Sequence, residues 1–235
     1  MKRLLSKSQV KLFQECPYKW KKHYIDLVVS KGSPQQERGT QIHKEVENFY
    51  KNIDVEIKDG KPIIKPKKDL SQIQNFVDFE GKRILKCMKD GKIDESLFKP
   101  MYQELSLSNP KIGLKGIIDA MFLNEDGKLI IIDWKSGKYN PYGFWRYRFE
   151  LALYKELFEK TIECKYKVGY WGIYFIDANK LIMEEVNQEE INKMWVDVNK
   201  VREQIKYAMD NNIYHKRKSN CKYCQFKEEC ERDEN

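Results

Sequence analysis

The amino-acid sequence predicts an α/β fold with a mixed central sheet flanked by helices. Two observations indicate this class. Apolar residues recur at helical spacing through most of residues 1–100, and from residue 101 the pattern changes to short runs of β-branched residues with alternating polarity. Two further helical segments are interleaved with and follow these runs, an order typical of a sheet covered by helices.

The N-terminal region is predicted to be mostly helical. Pro17 separates two short helical segments, because proline is excluded from helix interiors. A longer helix is expected from Pro34, which suits a first-turn position and is followed by Ile42 and Val46 at helical spacing. Residues 55–70 contain many lysines and prolines and are interpreted as a mobile connector, and helical spacing returns at 72–90.

The second half of the chain predicts the sheet. Strands are expected at 102–108, 112–123 and 128–136, a helix at 141–160, two more strands at 167–176 and 180–186, and a last helix at 188–211. We expect one domain over residues 1–235, made of a helical entry region (1–100), a sheet core (101–186) and a C-terminal helix with a cysteine-rich segment (187–235).

Composition favours a polyanionic partner. The chain of 235 residues has a formal net charge of +8 and a pI near 9.0, and such an excess of lysine and arginine is common in proteins that bind nucleic acid. We find no signal-peptide core and no membrane span, so a cytoplasmic location is expected. In a reducing compartment, six cysteines are more typical of metal binding than of disulfides.

Two aspartates interrupt otherwise apolar strands. A three-residue hairpin loop at 125–127, with glycine in its left-handed position, would pair Asn124 with Lys128. The same register places Asp119 directly opposite Asp133, with side chains on one face about 5 Å apart. Two carboxylates at this distance repel each other unless one is protonated or a cation lies between them, and a divalent metal is the simplest explanation.

The alternation of a strand assigns chemistry to one face of this hairpin and packing to the other. Lys135 falls on the face of Asp133. The opposite, core face is predicted to carry Ile118, Ala120, Phe122, Ile130, Ile132 and Trp134. Two acids and a lysine around a metal suit phosphodiester hydrolysis, although ordinary surface acids are the alternative interpretation.

The sequence resembles the PD-(D/E)XK nuclease superfamily, in its RecB-like branch that includes the CRISPR-associated exonucleases and the nuclease domain of AddB. The motifs that carry the resemblance are "RGTQIH" ending at His43, "GIID" ending at Asp119 and "DWKSG" beginning at Asp133. The resemblance extends over nearly the whole chain and implies a restriction-endonuclease-like core.

The resemblance also implies roles for individual residues. His43, Asp119, Asp133 and the main-chain carbonyl of Trp134 would bind Mg²⁺ or Mn²⁺, and Lys135 would assist catalysis. Relatives place a glutamine and a tyrosine four apart on the following helix, where this chain has Glu150 and Tyr154. The glutamate could pair with Lys135, bind a second metal or repel phosphate. Glu104 aligns loosely with an upstream acid of some relatives.

Four cysteines form a second candidate site. Cys221, Cys224 and Cys230 are spaced C-x2-C-x5-C, and Cys16 lies near the other end of the chain. Zinc and a [4Fe–4S] cluster both accept four cysteines, so the spacing leaves both open. The resemblance favours an iron–sulfur cluster, whose role would be to staple the two ends of the chain together. Cys87 and Cys164 are interpreted as bystanders.

Basic and aromatic residues alternate in three stretches, a mixture that favours single-stranded DNA or frayed ends. The candidate contacts are Lys19, Lys22, Arg146 and Arg148. The leading hypothesis is a metal-dependent DNA exonuclease acting on single-stranded ends, with CRISPR-adaptation or recombination proteins as possible partners. The alternatives are a non-catalytic DNA-end-binding scaffold of the same fold and a zinc-binding interaction module.

Overall fold

The computed structural model of the protein describes residues 3–29, 32–58, 61–66, 73–89, 92–93, 98–140, 142–217 and 221–232. Its first part contains the helices α1 (Lys7–Glu15), α2 (Pro17–Tyr24), α3 (Pro34–Asn52) and α4 (Gln74–Lys86), with two small hairpins, β1 (Ile53–Lys58) with β2 (Lys61–Pro66) and β3 (Met88–Lys89) with β4 (Lys92–Ile93).

The second part forms the central sheet and its remaining helices. The elements are β5 (Tyr102–Asn109), β6 (Leu114–Leu123), β7 (Lys128–Lys135), α5 (Trp145–Glu159), β8 (Lys167–Phe175), β9 (Lys180–Glu185), α6 (Gln188–Asn211) and α7 (Lys227–Arg232). The strand order is β5-β6-β7-β8-β9, with β7 and β8 parallel and the other neighbours antiparallel. The predicted mixed sheet flanked by helices is confirmed.

Each face of the sheet buries an apolar cluster. On one face, α3 and α4 pack against Ala120, Phe122, Ile132 and Trp134, and we call this the α3 cluster. On the other face, α1, α5 and α6 pack against Met121, Leu129 and Ile131, and we call this the α5 cluster. The helix α5 lies so close to β6 that a Cβ atom on Gly116 would stand 3.2 Å from the Tyr154 ring. The aspartate face of the sheet is therefore covered rather than open.

Two of the sequence predictions about strands are wrong. The stretch 55–70 was expected to be a connector, but the described part of it pairs as the hairpin β1–β2, with Val55 opposite Ile64. Short β-branched runs flanking the dipeptide Asp59-Gly60 are typical of a hairpin, and two-stranded ribbons tolerate proline at their edges.

The second correction concerns Ile118, which packs in the α5 cluster rather than with Ala120 in the α3 cluster. The strict alternation of β6 is interrupted beside Glu104, whose backbone is left-handed with φ 46°. The partner register continues on both sides, with Gln103 opposite Ala120 and Leu105 opposite Ile118. Glu104 and Asp119, the two positions between these pairs, are left out of the ladder, and Ile118 and Ala120 lie on either side of this interruption.

The N-terminus is fastened to the sheet just before α1 begins. Leu5 forms a parallel bridge with Leu114, in which the Leu5 N–H donates to the Gly113 carbonyl and the Lys115 N–H donates to the Leu5 carbonyl. Ser6 then caps α1 by accepting a hydrogen bond from the Gln9 N–H. The first turn of α1 is thus held beside β6.

The β6–β7 register agrees with the one predicted from the loop. Ala120 lies opposite Ile132, the Asn124 N–H donates to the Lys128 carbonyl, and Gly127 has φ 73°. The described β6–β7 ladder ends at Ala120 and Ile132, so the predicted pairing of Asp119 with Asp133 is not part of it, and Asp119 instead accepts from the Trp134 N–H.

Gly127 tests this turn. Replacing it with alanine should lower the free energy of unfolding by about 1 kcal/mol, because a left-handed backbone is costly for a residue with a Cβ atom. Gly137→Ala is the matched control, since both positions have open space around the added methyl group and Gly137 is not left-handed. Equal urea midpoints for the two variants would contradict the assigned turn.

Candidate metal centre

The helix α3 carries His43 to the end of β7. Just over one helical turn before His43, the guanidinium group of Arg38 donates to the Ser136 carbonyl and to both carboxylate oxygens of Asp177, at 2.7–3.2 Å. This fork joins α3 to the segments that follow β7 and β8. The arginine of the "RGTQIH" motif therefore helps to place the histidine.

The ring of His43 is oriented by the backbone of β7. Its Nε2 lies 2.9 Å from the Trp134 carbonyl oxygen, and because a carbonyl only accepts, Nε2 carries the hydrogen. Nδ1 then faces Asp119 Oδ2 at 3.6 Å and Glu104 Oε1 at 3.8 Å. Burial opposes a charge on the ring, but the carboxylates of Glu104, Asp119 and Asp133 outweigh it and raise the pKa of His43.

Asp119 and Asp133 are almost completely removed from water, with 7% and 1% of their surfaces exposed. Asp119 Oδ2 accepts a hydrogen bond of 2.8 Å from the Trp134 N–H. Burial and repulsion from Asp133 nevertheless raise the pKa of Asp119 to about 7. A carboxyl group with a pKa raised this far ionises more readily when a cation is bound beside it.

Three side chains converge on one point. His43, Glu104 and Asp119 each place a ligand atom within 4.8 Å of the others. Glu104 adopts its left-handed backbone at this point, a strain that costs a residue with a Cβ atom of the order of 1 kcal/mol and is typical of functional positions. One imidazole nitrogen and two carboxylates suit Mg²⁺ or Mn²⁺.

The remaining predicted ligands lie beside this group. Asp133 Oδ2 is 2.5 Å from Lys135 Nζ, so this carboxylate is paired with the lysine rather than directed at His43. The Trp134 carbonyl accepts from His43 and has a second lone pair. Burial opposes the charge on Lys135, yet Asp133 and Asp119 outweigh it and raise the pKa of Lys135.

Glu150 is drawn into the same cluster from α5, and only 1% of its surface is exposed. Its carboxylate lies 3.4 Å from Lys135 Nζ and accepts a hydrogen bond of 3.2 Å from the Tyr154 hydroxyl. It also contacts Lys7 Nζ and lies 3.9 Å from Lys11 Nζ. Of the three roles considered for Glu150, pairing with Lys135 agrees with this geometry.

Sequence reasoning missed Lys7 and Lys11. Both lie on α1, one turn apart, and reach the site only because the N-terminal segment pairs with β6. Their spacing of four residues was a signal of a shared helix face. A contact across more than 130 residues of sequence separation, such as that of Lys11 Nζ with the Arg146 carbonyl at 3.5 Å, leaves no trace in a local pattern.

The comparison with known families agrees with this geometry. A family model described as the PD-(D/E)XK nuclease superfamily matches residues 4–231 of the chain. The chain belongs to this nuclease superfamily. Nucleases of this superfamily use divalent metals, in agreement with the donor set of His43, Glu104 and Asp119.

Solved structures provide a second comparison. The nuclease chain is similar to the crystal structure of a candidate exonuclease from Eubacterium rectale, with a TM-score of 0.56 over 97% of this chain and 88% of that chain. The two sequences are 12% identical, so the likeness concerns the fold. No curated protein sequence gives a significant match.

The four predicted cysteines of the nuclease come together from both ends of the chain. Cys16, Cys221, Cys224 and Cys230 line one cavity of about 300 Å³. The charged side chains in its wall are mostly basic, namely Lys19, Lys216, Arg217 and Lys227 with Glu231. Sulfur ligands with positive neighbours fit a metal–thiolate group, which carries net negative charge. Cys164, one of the predicted bystanders, packs at the edge of the α5 cluster.

The basic residues predicted to contact nucleic acid have different surroundings. Arg148 donates to Glu184 at 2.9 Å and to Glu190 at 3.5 Å. Lys22 pairs with Glu229 and Lys19 with Glu15, whereas Arg146 is exposed with its guanidinium 5.5 Å from the Trp145 ring. Arg146 is therefore the best placed of the four for a phosphate. Among the described residues, no helix has the length and apolar character of a membrane span.

The raised pKa values predict how metal binding depends on pH. Metal ligation requires Asp119 and His43 in their deprotonated forms, so Mn²⁺ must displace protons that are still bound near pH 6. Below pH 7 the Mn²⁺ affinity should rise about tenfold per pH unit for each proton displaced. The increase in melting temperature caused by Mn²⁺ should accordingly be larger at pH 8 than at pH 6.

The same shifts have a consequence for the metal-free protein. Groups whose pKa is raised on folding stabilise the protein at low pH, and this stabilisation is lost as the pH rises through the folded pKa, here about 7 for Asp119.

Asp119→Asn should remove most of the Mn²⁺-induced increase in melting temperature, and Asp126→Asn, on the exposed hairpin loop, should not. An Mn²⁺-induced shift that is the same at pH 6 and pH 8 would contradict this account.

Proposed function

We propose that this chain is a metal-dependent deoxyribonuclease of the RecB-like branch, an exonuclease that acts on single-stranded DNA ends. The observation that carries the proposal is the convergence of His43, Glu104 and Asp119 beside the buried pair of Asp133 and Lys135. The family match supports a nuclease. The similar candidate exonuclease from Eubacterium rectale supports the same class of activity.

Hydrolysis adds a water oxygen to phosphorus, breaks the bond from phosphorus to the departing nucleoside oxygen, and delivers a proton to that oxygen. A divalent ion bound by His43, Glu104 and Asp119, with Asp133 and the Trp134 carbonyl as further ligands, would polarise the phosphate and lower the pKa of water. Lys135 keeps its proton because of Asp133. Lys135 therefore stabilises developing negative charge on the phosphate instead of acting as the base.

The surface near the start of α5 supports single-stranded substrates. Tyr142 and Trp145 are 88% and 62% exposed, and Arg146 lies over the Trp145 ring. Exposed aromatic faces stack on unpaired bases, and a neighbouring arginine can bind the backbone phosphate. Lys11, which contacts both the Arg146 carbonyl and Glu150, links this surface to the metal centre.

The activity is tested with labelled linear and circular single-stranded DNA and with duplex DNA, in the presence of Mn²⁺. The wild-type protein should degrade linear single strands and leave circles intact. Asp133→Asn and Lys135→Met should each lower the rate by at least about a hundredfold. Asp126→Asn is the control, because it alters the charge of the same hairpin outside the site. Binding of linear DNA without cleavage by the wild-type protein would favour the non-catalytic scaffold.

For the cysteines we propose a [4Fe–4S] cluster that joins Cys16 to the C-terminal segment. The shared cavity and its basic wall support a thiolate-bound group, and the RecB-like resemblance supports iron over zinc. We also propose a cytoplasmic setting, and the RecB-like resemblance suggests CRISPR-adaptation or recombination proteins as partners.

Protein purified under anaerobic conditions should contain about four iron atoms per chain and absorb light at about 400 nm. Cys221→Ser should lose the iron and unfold at a free energy lower by about 2–5 kcal/mol, because the closed loop spans most of the chain. Cys164→Ser should keep both iron and stability. Stoichiometric zinc in a colourless protein would overturn the cluster and favour a zinc site.

A further inference from the structure

We propose that Lys7 binds a backbone phosphate of the nucleic-acid strand in the nuclease site, and that buried Glu150 is a positioning residue that holds Lys7 beside Lys135. The inference rests on the proposed function, since it requires a nucleic-acid strand at the metal centre. It adds to that site a cation that comes from the N-terminal helix, outside the motifs of the sheet.

The position of Lys7 is fixed by the backbone. Leu5 is bridged to Leu114 on β6, Ser6 caps α1, and Lys7 is the first residue of that helix. An ammonium group in the first turn of a helix is unfavourable, because it lies at the positive end of the helix dipole. A lysine kept at this point therefore needs negative partners nearby.

Lys7 opens onto the same cavity as the metal ligands. The cavity has a volume of about 590 Å³, and its wall includes Lys7, His43, Glu104 and Asp119. The rest of its wall combines serines and one further lysine with apolar and aromatic residues, namely Ser6, Ser8, Ser106, Ser108, Lys115, Leu107, Gly116, Ile117 and Tyr154. Hydroxyl and ammonium groups around a metal site suit the phosphates of a strand whose scissile group lies at the metal.

Glu150 explains how Lys7 and Lys135 stay close together. Its carboxylate contacts Lys7 Nζ and lies 3.4 Å from Lys135 Nζ, and the Tyr154 hydroxyl donates to it. Since Glu150 is 1% exposed, it would be costly to bury without these partners. Lys135 is also paired with Asp133 at 2.5 Å, so Glu150 chiefly holds Lys7, whose ammonium group has further hydrogens to donate to a phosphate in the cavity.

The charges of the whole site lead to the same conclusion. Four carboxylates lie in it, from Glu104, Asp119, Asp133 and Glu150, and four ammonium groups, from Lys7, Lys11, Lys115 and Lys135. With a divalent ion and neutral His43, the positive charges exceed the negative ones by two. The phosphodiester groups of a bound strand would offset this excess.

The test compares Lys7→Met, Lys7→Arg, Glu150→Gln and the double variant Lys7→Met/Glu150→Gln, with Lys200→Met as a control that removes an exposed lysine on α6. Cleavage of a short single-stranded oligonucleotide with Mn²⁺ gives kcat and KM at several salt concentrations. Binding of the same oligonucleotide with Ca²⁺ in place of Mn²⁺ is followed by fluorescence anisotropy.

Lys7→Met should raise KM at least about tenfold and reduce the slope of log KM against log salt by about 0.7, the effect of one lost phosphate contact. Lys7→Arg should have a KM and a salt slope close to those of the wild-type protein, because arginine keeps the positive charge. Glu150→Gln should raise KM in the wild-type background and leave it unchanged in the Lys7→Met background. The Mn²⁺-induced increase in melting temperature should be the same in Lys7→Met as in the wild-type protein.

Two results would overturn the inference while leaving the proposed function intact. One is a wild-type KM and salt slope for Lys7→Met. The other is recovery of wild-type KM in the double variant, which would show that Lys7 only neutralises Glu150. If the wild-type protein cleaves nothing, the proposed function fails, and the anisotropy measurement alone decides about Lys7: weaker binding by Lys7→Met supports the inference, and equal binding overturns it.

Discussion

Asp119 and Asp133 are buried next to each other on neighbouring antiparallel strands, beneath a helix. Burial and repulsion from Asp133 raise the pKa of Asp119 to about 7, so both acids are ionised at neutral pH only with compensating positive charge nearby. The protein provides it from several directions: Lys135 on β7, the Trp134 N–H, and the ring of His43 brought by α3. A divalent cation bound by His43, Glu104 and Asp119 could supply the remaining positive charge. The helices α1, α3 and α5 each bring an ionisable side chain to this centre, namely Lys7, His43 and Glu150.

The N-terminal segment contributes to both this centre and the cysteine cavity. The segment around Leu5 pairs with β6 and places α1, with Lys7 and Lys11, over the aspartate face. The next helix begins at Pro17, directly after Cys16, so the same N-terminal segment also reaches the cysteine cavity that contains the C-terminal residues Cys221 to Cys230. The nine-residue helix α1 therefore lies between the lysines of this centre and Cys16 of the cysteine cavity.

The sequence predicted the parts of this structure that depend on local rules. The hairpin register followed from the glycine in the loop and a period of two, and it placed Asp119 and Asp133 on facing strands. Prediction from the sequence failed where long-range contacts or backbone strain determine the position of a side chain. Ile118 packs on the other side of the sheet from Ala120, next to the point where Glu104 is left-handed and leaves the ladder. Lys7 reaches Glu150 through pairing of the N-terminus with β6, which no periodicity shows. The family resemblance, confirmed at the level of the superfamily, supplied His43, which by its sequence context alone is an ordinary helical residue.

The central claim is that these acids exist to hold a divalent ion, and anomalous X-ray diffraction from crystals soaked in Mn²⁺ tests it most directly. The account predicts an anomalous peak within about 2.5 Å of His43 Nδ1 and of carboxylate oxygens from Glu104 and Asp119, with Asp133 turned toward the ion. Absence of a peak between these side chains at saturating Mn²⁺, with His43 and both aspartates unmoved, would contradict it.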